Sequence, residues 1–99
     1  MKSKFSEIVK DTKPVLVDFY ADWCGPCQVL APILEEVKSD LGEKVKIIKI
    51  DVDKNQALAS DFGVRGVPTL ILFKEGEQVW RQSGLMSKRD LSEVIESYQ

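Results

Sequence analysis

The chain has 99 residues, 43% of them hydrophobic, with 14 Lys and Arg against 16 Asp and Glu for a formal net charge of −2. This length and apolar content predict one globular domain over residues 1–99, with a core that needs no disulfide staples. The charge balance argues against a nucleic-acid surface, which requires a basic face, and no apolar stretch approaches the roughly 20 residues of a membrane-spanning helix.

Residues 1–7 lack the apolar segment of a secretory signal, so we expect a cytoplasmic protein. The chain contains two cysteines and no histidine. A zinc site built from four Cys and His ligands of one chain is therefore excluded, and so is catalysis by Ser-His-Asp or Cys-His groups. In a reducing compartment, a lone cysteine pair is more often catalytic than structural.

The first predicted elements are a short helix and a buried strand. Phe5, Ile8 and Val9 have helical spacing, and the helix should stop before Pro14. The nearly continuous apolar run over residues 15–20 predicts a central strand that is covered on both faces.

A long helix and a second strand follow. Apolar residues recur every three or four positions from Leu30 to Leu41, and Gly42 is a fitting stop. Residues 45–50 predict a second buried strand. A strand, a helix and a strand in this order predict parallel pairing with a right-handed crossover.

The second half of the chain predicts the rest of a mixed sheet. A short helix is expected near residues 55–62, and residues 69–73 form a third strand. A turn leads from there into an antiparallel strand over residues 78–82. Ser87 begins a capping box for a last amphipathic helix. The fold class is therefore α/β, with a mixed four-stranded central sheet flanked by helices.

Both cysteines lie in the motif Trp23-Cys24-Gly25-Pro26-Cys27. A helical pair at i and i+3 lies on one face about one turn apart, which suits the disulfide Cα separation of roughly 4.4–6.8 Å. Cys24 begins the long helix, where unpaired N–H groups and the helix dipole favour a thiolate, whereas Cys27 should be less exposed. Pro26 stiffens the first turn. The alternative is that both thiols are buried and inert.

Asp18 is the unusual residue of the first strand. A carboxylate among apolar neighbours should be desolvated, and its pKa raised. One interpretation is that Asp18 is a functional proton acceptor. The structural alternatives are a polar residue at a strand end and an ion-pair partner of Lys49. Pro68 follows Val67 where a strand begins, and reads as a turn proline because it lacks a hydrogen-bond donor for the ladder.

The whole chain resembles the thioredoxin family. The resemblance is carried by residues 17–27, 31–34, 49–53 and 63–70, which match the family's segments in order and spacing. It implies a thioredoxin-like three-layer sandwich and the reduction of protein disulfides by dithiol-disulfide exchange. The family's extra N-terminal strand is not expected here, because too few residues precede Phe5.

The resemblance also implies roles for individual residues. Cys24 would attack the substrate and Cys27 would resolve the mixed disulfide, so the redox group is the Cys24–Cys27 disulfide, with no bound cofactor or metal. Asp18 would accept the proton of Cys27 through water, and Lys49 would moderate the pKa of Asp18. The expected substrate-binding residues are Trp23, Gly25, Pro26, Gly66, Val67, Pro68 and Gly84. The peptide bond between Val67 and Pro68 is expected to be cis.

The implied partners are an NADPH-dependent thioredoxin reductase as electron donor and disulfide-containing proteins as substrates, with the chain acting as a monomer. Two alternatives remain. One is a non-catalytic binding subunit with this fold, which needs no turnover. The other is a disulfide oxidant or isomerase, which the Gly25-Pro26 pair disfavours because the resembling proteins of that kind differ at these positions.

Overall fold

The computed structural model of the protein describes residues 4–99. In chain order its elements are α1 (Lys4–Ile8), β1 (Val15–Tyr20), α2 (Gly25–Leu41), β2 (Lys46–Asp51), α3 (Gln56–Asp61), β3 (Thr69–Lys74), β4 (Glu77–Ser83) and α4 (Lys88–Ser97). The predicted order of helices and strands is confirmed, and a 3-10 turn, Gly42–Lys44, extends the end of α2. None of the helices in residues 4–99 is long and apolar enough to cross a membrane.

The four strands form one mixed sheet in the order β2-β1-β3-β4. β1 pairs with β2 in parallel and with β3 antiparallel, and β3 pairs with β4 antiparallel. The predicted parallel pairing across α2 is confirmed. The four-stranded sheet is also confirmed, because no further strand within residues 4–99 pairs with the outer edge of β2.

The prediction that the second strand is buried is wrong. β2 starts one residue later than predicted, and five of its six residues are half-buried or exposed. The cause is its position, since β2 is an edge strand whose only strand neighbour in the described chain is β1. An apolar sequence indicates a strand here, but it does not say whether that strand is central or at the edge.

Side-chain alternation along the strands gives the sheet two apolar faces, which confirms the three layers. One face packs against α2 and α4, and its cluster includes Leu16, Leu30, Leu34, Leu70, Leu72, Leu91 and Ile95. The other face packs against α1 and α3, and its cluster includes Phe5, Val15, Val17, Phe19, Ala59, Ile71 and Phe73. Burying a side chain of this size contributes about 1.5–3 kcal/mol, so the two clusters fix the helices on the sheet.

The connection from β1 to α2 is short, and it brings the first turn of the helix to the end of a central strand. β1 ends at Tyr20, and α2 begins at Gly25. The Cys24 N–H donates to the carbonyl of Ala21 at 3.2 Å, which closes the connecting turn. Val52, just after β2, donates its N–H to the Tyr20 carbonyl at 2.9 Å. Residues 20–24 are therefore fixed from both sides at one edge of the sheet.

Candidate active site

The two cysteines occupy the first turn of α2. Cys24 is the N-cap residue, and its sulfur accepts a hydrogen bond from the Cys27 backbone N–H at 3.1 Å. The two sulfurs are joined as a disulfide, and the Cα atoms lie 5.2 Å apart, within the range predicted from the spacing. A helix N-terminus leaves backbone N–H groups without partners inside the helix, so a negatively charged sulfur at this position is stabilised.

The expected difference in exposure between the cysteines is absent from this disulfide form. Cys24 is 3% exposed and Cys27 is 5% exposed. The sulfur of Cys24 lies 3.6 Å from the Val67 carbonyl oxygen, and both cysteines pack with Ala21. The prediction of a more exposed Cys24 considered only the position in the helix. It missed the loop before β3, which covers the first turn.

That loop contains a cis peptide bond between Val67 and Pro68, as the family resemblance implied. Pro68 directly precedes β3, so its missing N–H removes no ladder hydrogen bond. Its carbonyl accepts the N–H of Gly84 at 2.9 Å, and this bond brings the end of β4 to the same loop. The predicted residues Val67, Pro68 and Gly84 are therefore brought together, with Val67 against Cys24.

Large apolar side chains are exposed next to Cys24 and next to Gly84. Trp23, one of the expected substrate-binding residues, is 71% exposed. Its indole Nε1 donates to Asp53 Oδ2 at 2.8 Å, so the ring has a fixed orientation. Leu85, which follows Gly84, is 49% exposed and adds a second large apolar side chain. Gly25, Pro26 and Gly66 are also exposed.

Asp53 and Leu85 were not singled out from the sequence. Asp53 is one of two aspartates at the end of β2, and only the folded chain brings it to Trp23, 30 positions away. The signal for Leu85 was its position, since it lies directly after the Gly84 that the resemblance had already selected. A large apolar residue at that place extends the apolar surface beyond the glycine.

Asp18 is buried in the middle of β1, with 1% of its surface exposed. Neither carboxylate oxygen has a hydrogen-bond partner among the described residues. Burial raises the pKa of Asp18 to about 6 from its ordinary 3.8, and the positive charge of Lys49 opposes that shift. Since Asp18 is the fourth of six strand residues, its placement at a strand end is wrong.

Lys49 lies beside Asp18 in the register of β1 and β2. Its ammonium group lies 4.7 Å from the centre of the Tyr20 ring, a cation–π contact. Among residues 4–99, the ion pairs do not include one between Lys49 and Asp18. Lys49 therefore acts on the carboxylate through space, and the carboxylate keeps both oxygens available.

A small cavity of about 180 Å³ reaches Cys27 from the side. Its lining consists of Tyr20, Ala21, Asp22, Cys27, Gln28, Ala31 and Lys49. A water molecule occupies about 30 Å³ in the liquid, so the cavity has room for water between Cys27 and the Lys49 side chain. Among residues 4–99, no group of three or more His, Cys, Asp and Glu side chains could hold a metal ion.

Comparisons with known proteins agree with this arrangement. The family model described as Thioredoxin matches residues 1–97. A protein named Thioredoxin from Rickettsia bellii (strain RML369-C) is 48% identical over 94 residues, covering 95% of this chain and 90% of its own length. Thioredoxin from Haemophilus influenzae is 45% identical, with coverages of 94% and 87%. The structure of a mutant thioredoxin from Halobacterium salinarum NRC-1 is 50% identical, with a TM-score of 0.89 and coverages of 99% and 85%.

The burial of Asp18 predicts a pH-dependent gain in stability for Asp18→Asn. The raised pKa means that the wild type loses stability as the pH rises from about 4 through about 6, because the folded chain must then ionise a buried carboxyl. The full pKa shift corresponds to roughly 3 kcal/mol. At pH 8 the free energy of unfolding of Asp18→Asn should therefore exceed that of the wild type by up to this amount.

Urea melts of both proteins at pH 8 and pH 4 test this expectation. The gain of Asp18→Asn should be largest at pH 8 and should nearly vanish at pH 4. A variant that is equally or less stable than the wild type at pH 8 would mean that the carboxylate makes stabilising interactions.

Proposed function

The chain belongs to the thioredoxin family and is a thiol-disulfide oxidoreductase, and we propose how its residues share the reduction of a protein disulfide. The observation that carries the proposal is the hydrogen bond from the Cys27 N–H to the Cys24 sulfur at the N-cap of α2. It favours negative charge on Cys24, so Cys24 is the attacking sulfur and Cys27 the resolving one.

The reaction proceeds in two exchanges. In the first, the Cys24 thiolate attacks one sulfur of the substrate disulfide, and the other substrate sulfur leaves as a thiolate that takes up a proton. In the second, the Cys27 thiolate attacks the Cys24 sulfur of the mixed disulfide, and the second substrate sulfur leaves as a thiolate that also takes up a proton. The substrate gains two electrons and two protons, and the protein is left with the Cys24–Cys27 disulfide seen in the structure.

Asp18 is the proposed proton acceptor of the second exchange. Cys27 carries a proton until it attacks, and the chain has no histidine to remove it. Asp18 faces α2 from the sheet, since its strand neighbours Leu16 and Leu70 pack in the same cluster as Leu30 of α2. With a pKa of about 6, its carboxyl is mostly ionised at neutral pH and can still take up a proton. Water would carry that proton from Cys27 to Asp18, which does not itself line the cavity beside Cys27. Lys49 would limit the rise of the pKa of Asp18.

The substrate would bind the apolar surface around the disulfide. Trp23 and Leu85 supply exposed apolar area, and the exposed Gly25, Pro26 and Gly66 allow a chain to approach the sulfurs. Val67 lies against Cys24, so an extended substrate that pairs with the backbone of Val67 brings its own disulfide to the attacking sulfur.

Each turnover leaves a disulfide, so an electron donor is required, and an NADPH-dependent thioredoxin reductase is the one that family membership suggests. A dithiol donor is useful where such a reductase keeps it reduced, which favours the cytoplasm. Both cysteines come from one chain, so a single-domain monomer suffices.

Insulin reduction with dithiothreitol as the electron source tests the proposed function. The wild type should accelerate cleavage of the insulin disulfides, and Cys24→Ser should abolish the acceleration because no attacking thiolate remains. Cys27→Ser should also be inactive in turnover, but it should accumulate a mixed disulfide with the substrate that is visible by mass spectrometry. No acceleration by the wild type would favour a binding subunit, and an adduct on Cys27 in the Cys24→Ser variant alone would reverse the assignment of the two sulfurs.

Replacing Asp18 by Asn should slow the second exchange and leave the first nearly unchanged. General-base catalysis contributes about 10²-fold or more, so resolution of the mixed disulfide at pH 7 should slow by about that factor. The wild-type rate of resolution should rise as the pH passes about 6, and this rise should be missing in the variant. Stopped-flow mixing with acid quenching measures both steps, and unchanged resolution would exclude Asp18 as the base.

A further inference from the structure

Two hydroxyl groups lie behind the loop that faces Cys24. Thr69, the first residue of β3, is fully buried, and its Oγ1 donates to the Gly66 carbonyl at 2.6 Å. The Ser83 hydroxyl, opposite Thr69 in the register of β3 and β4, lies 3.0 Å from the same Oγ1. A hydroxyl has one proton, and that of Thr69 is used on Gly66. The Ser83 hydroxyl must therefore be the donor to Thr69.

The bond to the Gly66 carbonyl fixes more than one atom. The Gly66 carbonyl and the Val67 N–H belong to one planar peptide unit, and in a trans unit they point in opposite directions. Because Thr69 draws the carbonyl inward, the Val67 N–H is directed away from Thr69. Among residues 4–99, this N–H donates to no other group.

Gly66 makes such an anchor necessary. A glycine adopts many backbone conformations at low cost, and apart from the adjacent residues no described atom lies within 4 Å of the position that a Cβ would occupy. Glycine's conformational freedom would let the peptide unit between Gly66 and Val67 turn if its carbonyl were not held. On the other side of Val67, the Pro68 carbonyl is held by the Gly84 N–H at 2.9 Å. Val67 thus lies between two anchored carbonyls, with its own carbonyl 3.6 Å from the Cys24 sulfur.

We propose that Thr69 and Ser83 are positioning residues, whose paired hydroxyls hold the Val67 peptide group ready to pair with the main chain of an extended substrate. This inference rests on the proposed function, in which that pairing brings the substrate disulfide to Cys24. The hydroxyls touch neither sulfur. They therefore set the affinity for peptide disulfides and leave the reactivity of Cys24 unchanged.

Thr69→Val tests the proposal, because it removes the hydroxyl and keeps the branched shape that suits a buried strand position. The reduced protein is mixed in single turnover with insulin over a range of concentrations, and with hydroxyethyl disulfide, which has no peptide group. Loss of this hydrogen bond should raise the half-saturating insulin concentration about tenfold with little change in the limiting rate. The rate with hydroxyethyl disulfide should not change.

Three further variants complete the test. Thr69→Ser keeps the hydroxyl and should restore insulin affinity to within about twofold, and Ser83→Ala should weaken it about threefold through the loss of one neutral hydrogen bond. Ser97→Ala is the matched control, because the Ser97 hydroxyl also bonds a carbonyl three residues earlier, that of Val94 at 2.6 Å, but on α4. Ser97→Ala should change neither the half-saturating insulin concentration nor the rate with hydroxyethyl disulfide. Ser83 is exposed, so Ser83→Ala should fold normally. Its insulin affinity therefore tests the proposal if Thr69→Val does not fold.

Two results would overturn the proposal. If the variants react more slowly with insulin and with hydroxyethyl disulfide by the same factor, the hydroxyls support the fold or the reactivity of Cys24. Unchanged insulin affinity in Thr69→Val and Ser83→Ala would mean that the peptide group is held without them. A failure of the proposed function itself is distinguishable from both, because it appears as absent insulin reduction in the wild type.

Discussion

The hydrogen bond from the first turn of α2 to the Cys24 sulfur is the interaction on which the rest of the site depends. It requires a helix that begins immediately after a central strand, and the short connection after Tyr20 provides this. The strand is held by neighbours on both sides, and the helix is held by the leucine-rich cluster under it. The two layers of the core therefore fix a backbone N–H beside a sulfur, which provides the electrostatic stabilisation that a histidine provides in other thiol enzymes.

The same core contains one group that opposes stability. Neither oxygen of the buried Asp18 carboxyl has a hydrogen-bond partner within residues 4–99, so its ionisation, with a pKa of about 6, costs free energy. Apolar burial elsewhere in the sheet offsets this cost, so the fold tolerates it. A proton acceptor with a pKa of about 6 cannot be obtained from an exposed aspartate, because water keeps its pKa near the ordinary value. In the proposed mechanism, the loss of stability and the gain in basicity have one cause.

Much of the fold could be predicted from the sequence because its signals are local. The apolar run of β1, the helical period of α2 and the Ser87 cap each depend on neighbours within a few residues, and Ser87 indeed accepts the Asp90 N–H. The burial of Asp18 followed from the same run. The half-buried state of β2, the covered Cys24 and the Thr69–Ser83 pair could not be predicted, because each depends on which distant segment packs beside it. Their partners are set by the order of the strands, which local periodicity does not encode.

Whether the first turn of α2 stabilises the Cys24 thiolate is tested most directly by the pH dependence of alkylation. The Cys27→Ser variant leaves one thiol, so its rate of reaction with iodoacetamide follows the ionisation of Cys24 alone. A peptide of residues 21–29 with the same substitution, too short to form a stable helix, is the reference. We expect the rate in the folded variant to reach half of its maximum about one pH unit or more below the peptide. Coincident profiles for the folded variant and the peptide would contradict the stabilisation of the thiolate by the helix.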